Sequence, residues 1–328
     1  VSAVAGEAAA VIVVLALVFQ VCDTLRVRPT PFVVLAVLAV NIGSAFCMLG
    51  NPVALFIGIK ADCTFVGFTR TAAPAVAAAL AVMLAVFALA ERRGIRELTA
   101  KLAAHRAADR DLGPVVGGIP VLRITAALAV VLLPLLFHPA IERLIGFSPD
   151  DGRHPFLMVA PLALAAGALL IRPERARRSF SEHIDWVSIF FLLALFIIAG
   201  SLEKLPVAAR IATRVAEATG GSPAAAVPLV LATGALGSAF VDNMTFVVFC
   251  TPVVQALDQL DPGYHRLWWA LLFGSSFGSN VTVFGSTANV IALGMLRTRY
   301  RIRVSFLRWL VLGLTTGVLT TAVAWLLL

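Results

Sequence analysis

The sequence predicts an all-α polytopic membrane protein made of two inverted repeats, each with a re-entrant helical hairpin and a discontinuous transmembrane helix. Three observations carry this expectation. Of 328 residues, 60% are hydrophobic and only 13% charged, with a mean hydropathy of +0.96, where a soluble domain is roughly half apolar and a quarter charged. Two polar-centred apolar motifs recur at nearly one offset, and basic residues gather in alternate loops.

Apolar runs approaching the roughly 20 residues of a helical crossing occupy Phe32 to Cys47, Ala72 to Ala90, Leu122 to Phe137, Phe156 to Ile171, Ile184 to Gly200 and Phe306 to Leu328. The strands of a membrane barrel would alternate apolar and polar residues; these runs do not. The chain opens at Val1 inside an apolar stretch that lacks the basic start and cleavage site of a signal peptide. A truncated amino terminus is the expectation.

NIGSAFCMLGNPVALFIG, from Asn41, and SFGSNVTVFGSTANVIALG, from Ser276, superpose Gly43 on Gly278, Ser44 on Ser279 and Gly50 on Gly285 at an offset of 235. Upstream, SAVAGEAAAVIVV from Ser2 matches SAFVDNMTFVVFC from Ser238 at 236. Glycine-interrupted segments at matching positions of two halves point to the binding site of a secondary transporter. The expected organisation is a first repeat over 1–90, a polar cytoplasmic linker over 91–121 and a second repeat over 122–328. The second repeat holds scaffold spans, a hairpin at 223–256, a broken helix at 265–296 and a last span.

Pro223 to Ala256 is too long for one crossing and too short for two. Its first arm, Pro223 to Leu236, would rise about 21 Å against a hydrocarbon core of about 30 Å. It is expected to enter and leave on one side, turning near Gly237 to Asn243, with unwound backbone buried in protein or lining a wet cavity. With such a hairpin in each half, sixteen Lys and Arg residues fall in loops on one side and eight on the other. The richer side is cytoplasmic by the positive-inside rule, the carboxyl terminus lies outside, and the halves are inverted. That distribution also accounts for the net charge of +8 without nucleic acid.

An ionisable group at mid-membrane is a functional hypothesis by default. The carboxylate of Asp242 either coordinates sodium alongside carbonyls of the hairpin tip, carries a coupling proton, or caps the second hairpin helix. Asn243, Thr245, Asn280, Thr282, Ser286, Thr287 and Asn289 carry neutral donors and acceptors suited to a carboxylate or an oxyanion; hydroxyls in membrane helices also bond the preceding turn. Unwinding at Gly278 to Gly285 would add the partial positive charge of a half-helix amino terminus. In the first half Gly6, Glu7 and Ala9 stand where the second has Asp242, Asn243 and Thr245, and Ala45 and Cys47 stand opposite Asn280 and Thr282. Glu7 is either an intramembrane carboxylate or part of a frayed, exposed end.

Enzymatic function is not expected. No histidine has a metal partner at helical spacing, no Walker loop appears, and the serines of GSSFGSN have no embedded His or Lys base. Four cysteines without a CxxC pair indicate neither a disulfide framework nor a zinc site. RVAEATGGSP, from Arg214, reads as an outer surface helix ending at glycine.

GSAFVDNMTFVVFCTPVV, SNVTVFGSTANVIALG, RIRVSFLRWLVLGL and IDWVSIFFLLALFIIAGSLEK together resemble the ion transporter superfamily, in particular its citrate-transporter-like and arsenite-permease-like branch, related to divalent anion/sodium symporters. The resemblance implies inverted repeats, an elevator-like shift of a transport domain against a scaffold, a homodimer and a small anionic substrate. It implies multi-pass insertion in the lipid bilayer of the cell (inner) membrane, with no cofactor beyond a coupling sodium ion or proton. It assigns substrate contact to Asn243, Thr245, Asn280, Thr282, Ser286, Thr287 and Asn289, with Gly50, Asn51 and Pro52 in the first half. Ion coupling falls to Ser238, Asp242 and Gly285, with Glu7, Gly43 and Ser44 as first-half counterparts, and a sodium site to Asp242 and the hairpin-tip carbonyls. The first half departs from the family pattern. GEAA from Gly6 and GNPVA from Gly50 replace an Asp-Asn-x-Thr hairpin and a GDPPN-like break, and the scaffold helices expected before the first hairpin are missing, which implies altered coupling there. An arsenite efflux permease, a sodium/proton antiporter and a transport-inactive assembly or binding protein are the alternatives.

Overall fold

The computed structural model describes residues 2–108, 133–134, 137–146, 186–203 and 206–328, with single positions between 156 and 167. The expected spans Leu122 to Phe137 and Phe156 to Ile171, and the linker beyond 108, lie largely outside these residues. Among the described residues every element is helical. The first half contains α1 (Ser2–Ala5), α2 (Glu7–Leu25), α3 (Thr30–Ser44), α4 (Pro52–Lys60), α5 (Phe65–Ala90) and α6 (Arg92–Ala107). Next come α7 (His138–Leu144), α8 (Trp186–Glu203) and α9 (Pro206–Ala218). The second half contains α10 (Pro223–Phe240), α11 (Asn243–Leu260), α12 (Arg266–Gly278), α13 (Thr287–Tyr300) and α14 (Phe306–Leu327).

Four of these helices, α2, α5, α10 and α14, are long and apolar enough to cross a membrane. The side-chain distribution fits that solvent. Leu236, Phe240, Phe284 and Leu326 are exposed, while Asn41, Ser44, Asn280, Thr282 and Asn289 are buried, the reverse of a water-soluble domain. The protein is an integral, multi-pass membrane protein.

Close approach of backbones organises the second half. Hairpin helix α10 lies along α12 because glycine and alanine remove the side chains between them. A Cβ on Gly274 would stand 2.5 Å from the carbonyl oxygen of Leu231, and one on Gly278 would stand 2.3 Å from the Cα of Ala235. The four-residue spacing of Gly274 and Gly278 on α12 is the small-xxx-small pattern of membrane packing, in which dispersion and lipid entropy replace the hydrophobic effect. Similarly α14 runs beside α5 and, through Gly313, meets the backbone of Asn280 and Val281 just beyond the end of α12. An aromatic series, Phe68, Trp269, Phe273 and Phe277, fills the space behind α12 with centroid spacings of 5.0, 6.2 and 5.5 Å.

The hairpin differs from expectation in one respect. Helix α10 continues to Phe240 and only Val241 and Asp242 separate it from α11. Its 18 residues rise about 27 Å, longer than the expected arm. Gly237 to Phe240 are helical, not part of the turn. Gly237 serves packing instead, since a Cβ there would stand 1.9 Å from the ring of Phe246 on the second arm. The broken helix opens between Gly278 and Thr287, with Thr282 and Ser286 extended around a 3-10 turn at Val283–Gly285.

One connector carries more structure than the sequence indicates, and a second is the glycine-ended helix expected from RVAEATGGSP. The start of the expected linker is α6, whose Leu98 and Leu102 pack on Cys22, Leu25 and Val27 at the end of α2. Helix α9 ends at Gly220 and Gly221, both at positive φ, with the N–H of Gly221 donating to Ala216 O at 2.8 Å. At the same end of α2, Asp23 accepts from Arg299 at 2.7 Å and from the Tyr300 hydroxyl at 2.6 Å, tying α2 to the end of α13.

Gly278→Ala is expected to lower the thermal unfolding midpoint in detergent, by overpacking worth about 1–3 kcal/mol. Gly294→Ala, where nothing lies within 4 Å of the added carbon, should leave the midpoint unchanged or raise it.

Candidate functional site

The two broken helices meet at Asn41, near the end of α3. Its amide donates to Asn280 Oδ1 at 2.8 Å and to Asn289 Oδ1 at 2.9 Å, one acceptor on each side of the second break. Both amide hydrogens are thereby used, at a position only 1% exposed. Asn289 passes the connection on, donating to the carbonyl oxygens of Ser279 at 3.0 Å and Thr282 at 2.9 Å. These carbonyls lost their helical partners where α12 unwound, and a buried carbonyl without a donor is costly. Trp309 Nε1 donates to Asn280 O at 3.3 Å and attaches α14 to the same segment.

The breaks repeat one local geometry. Ser44 and Ser279 each turn a hydroxyl back to the carbonyl three residues earlier, at 2.7 and 2.8 Å. Six residues on, Gly50 and Gly285 press against the carbonyl oxygens of those same serines, where a Cβ would fall within 1.9 and 2.5 Å. One residue further, Asn51 and Ser286 cap α4 and α13, accepting from Ala54 N at 2.6 Å and Ala288 N at 3.1 Å. Asn51 Nδ2 also donates to Ser44 Oγ at 2.7 Å, so the first break feeds hydrogen bonds toward Asn41.

Hairpin tip and chain start close the cluster. Ser238 donates to Ser275 O at 2.7 Å, and Thr282 donates to Ala239 O, fastening the tip to α12 and to the break. Asp242 caps α11, its Oδ2 accepting from Met244 N at 3.1 Å and Thr245 N at 3.3 Å. Glu7 does not lie at a free end. Its carboxylate accepts from the Ser286 hydroxyl, bonds the Asn243 side chain and the Ala288 backbone, and feels the charge of Asp242. Gly6, at φ 76°, gives the left-handed turn that starts α2 there. Ser286 has one hydroxyl proton and a second acceptor at 3.2 Å, Asn41 Oδ1.

The network thus gathers Glu7, Asn243, Asn280, Thr282, Gly285, Ser286 and Asn289, with Asp242, Thr245 and Ser238 at its hairpin edge and Ser44, Gly50 and Asn51 at its first-half edge. Gly43 packs against Ser2, where a Cβ would meet Ser2 Oγ at 2.7 Å. Two expected contacts are not brought in. Thr287 and Pro52, the first residues of α13 and α4, are exposed. Asn41 was missing from the sequence-derived set, although a lone carboxamide in the apolar run VLAVNIGS was the signal. No cluster of three or more His, Cys, Asp or Glu able to hold a metal exists among the described residues.

A buried polar cluster formed by interrupted helices inside an apolar exterior defines the class, a multi-pass membrane protein with a polar interior. The family model described as citrate transporter matches residues 1–274 and 144–328, and the chain belongs to that family. An uncharacterized transporter of Mycobacterium tuberculosis is 32% identical over 302 residues, covering 90% of this chain and 66% of the relative. The 46 kDa membrane protein of Mycobacterium leprae is 26% identical over 331 residues, 98% of this chain and 72% of its own length. The human P protein is 30% identical over 123 residues, 35% of this chain and 15% of that protein. The chain spans about two thirds of the length of the mycobacterial transporters it matches.

Asn41→Ala is expected to destabilise the protein by roughly 2 kcal/mol or more, because Asn280 and Asn289 each lose a buried donor. Thermal unfolding in detergent measures it, and Thr287→Ala, at an exposed position, should fall within about 0.5 kcal/mol of wild type.

Proposed function

We propose that the chain is a secondary active transporter that moves a small anion, a di- or tricarboxylate or an inorganic oxyanion, coupled to sodium or protons. The observation that carries this reading is the convergence of both broken helices on one buried carboxamide, with the hairpin tip bonded to the second break and the Glu7 carboxylate bonded to Ser286 beside it. The starts of α11 and α13, capped by Asp242 and Ser286, supply the partial positive charge of the helix dipole. The amides of Asn243 and Asn280 supply donors that need no net charge, while that of Asn289 is held by the Ser279 and Thr282 oxygens.

Glu7 and Asp242 then give the coupling a physical basis. An anion drawn to the helix starts meets two like charges, so its affinity rises when sodium or a proton neutralises one of them. By linkage the cation's affinity rises equally when the anion is bound. Ser286 is suited to report the change, since its single proton can turn from Glu7 to Asn41 when Glu7 is neutralised. In this reading the halves are inverted copies, and the hairpin and breaks shift together across the cell (inner) membrane in an elevator-like motion, within a homodimer. The proximity of Glu7 to Asp242 favours one second reading, a sodium/proton antiporter on the same scaffold, because a carboxylate pair can exchange cations without an anion.

In proteoliposomes we expect sodium- or proton-gradient-driven uptake of one of citrate, succinate, sulfate or arsenite, abolished by Asp242→Ala and by Asn243→Ala. Sodium/proton exchange with no anion flux would transfer the assignment to the second reading. No gradient-dependent flux in any arm would overturn transport and leave a membrane binding or assembly protein. Glu7→Gln is expected to remove dependence on the proton gradient, measured as uptake at fixed sodium with an imposed pH difference.

A further inference from the structure

Away from the polar cluster, the turn between α2 and α3, the start of α6 and the start of α14 enclose a cavity of about 740 Å³. Four arginines line it: Arg26, Arg28, Arg93 and Arg308. The acidic groups on its rim are already matched. Glu91 holds Arg308 at 2.9 Å, and Glu97 holds Lys101 at 2.6 Å, an ammonium contact that keeps the Glu97 carboxyl below the usual range. Arg28 adds a weaker attraction to Glu97. The positive charge of Arg26 and Arg93 is left over, and that of Arg28 nearly so. The cavity also receives the start of α3, which no side chain caps.

A second groove of about 610 Å³ begins at the same Glu91–Arg308 pair and descends between α5 and α14. Its wall is apolar: Val86, Ala90, Leu307, Val311 and Leu312. Leu307 and Val311 are 67% and 62% exposed on α14, a helix long enough to cross a membrane. A basic chamber and a lipid-facing apolar channel that meet at the shared Glu91–Arg308 pair have the two-part chemistry of one molecule, a phosphate ester carrying acyl chains. Guanidinium forks match the paired oxygens of a phosphodiester, and basic pockets beside membrane helices take anionic headgroups.

We propose that this joined cavity is a binding site for an anionic phospholipid, its headgroup held by Arg26, Arg28 and Arg93 and an acyl chain lying along Val86, Ala90 and Val311. The site is independent of the transport reading. A lipid there bridges α5, α6 and α14 at the point where the Glu91–Arg308 pair joins them.

The test is native mass spectrometry of the whole chain in detergent with phosphatidylglycerol, phosphatidylcholine or inorganic phosphate added, paired with thermal midpoints. The expected result is retention of phosphatidylglycerol over phosphatidylcholine on the order of tenfold, with a higher midpoint. Arg28→Gln with Arg93→Gln should bring retention down to the phosphatidylcholine level. Val311→Trp, which fills the channel without touching charge, should do the same. Equal retention of both lipids, retention untouched by either variant, or stabilisation by phosphate alone equal to that by phosphatidylglycerol would each overturn the proposal.

Discussion

The structure depends on one side chain's two hydrogen bonds, from the Asn41 amide to Asn280 and Asn289. Interrupting a helix inside a membrane frees backbone groups that lipid cannot satisfy, and each must find a partner within the protein. In the second break those partners are side chains of the same break, and Asn41 holds them in position. The donor comes from 239 and 248 residues away along the chain. The second interruption is therefore completed by a side chain of the first half, which explains why the two halves meet where they are least regular.

Glycine does the complementary work. Gly50 and Gly285 let each break fold back onto the serine carbonyl six residues before it, and Gly274 and Gly278 let α12 lie against α10. Packing that close fixes the hairpin tip within reach of the break, through Thr282 and Ser238. Polar satisfaction and steric permission thus share one short stretch of sequence, Gly274 to Asn289.

Much of this was legible in the chain. Repeat spacing located both interruptions, because Gly43, Ser44 and Gly50 kept their distances from Gly278, Ser279 and Gly285. Composition alone fixed the membrane class. The extent of the hairpin turn was misjudged because glycine was read as a helix breaker at Gly237, where it makes room for the Phe246 ring; a contact partner is invisible in a local window. Thr287 and Pro52 follow from a motif resemblance, and a motif match does not give the exposure of a side chain, which is high at both. Asn41 was passed over because its partners are assembled only by the fold. Glu7, ambiguous at a chain start, is read through its contact with Ser286.

The Asn289 amide covers the oxygens of Ser279 and Thr282, so unwinding has not left those carbonyls open. A sodium ion seeking them would have to rotate that carboxamide aside and replace two N–H donors with its own charge. Ion entry at this point would be an exchange of ligands, and its selectivity would be set by how closely a bare cation reproduces the reach of an NH₂ group.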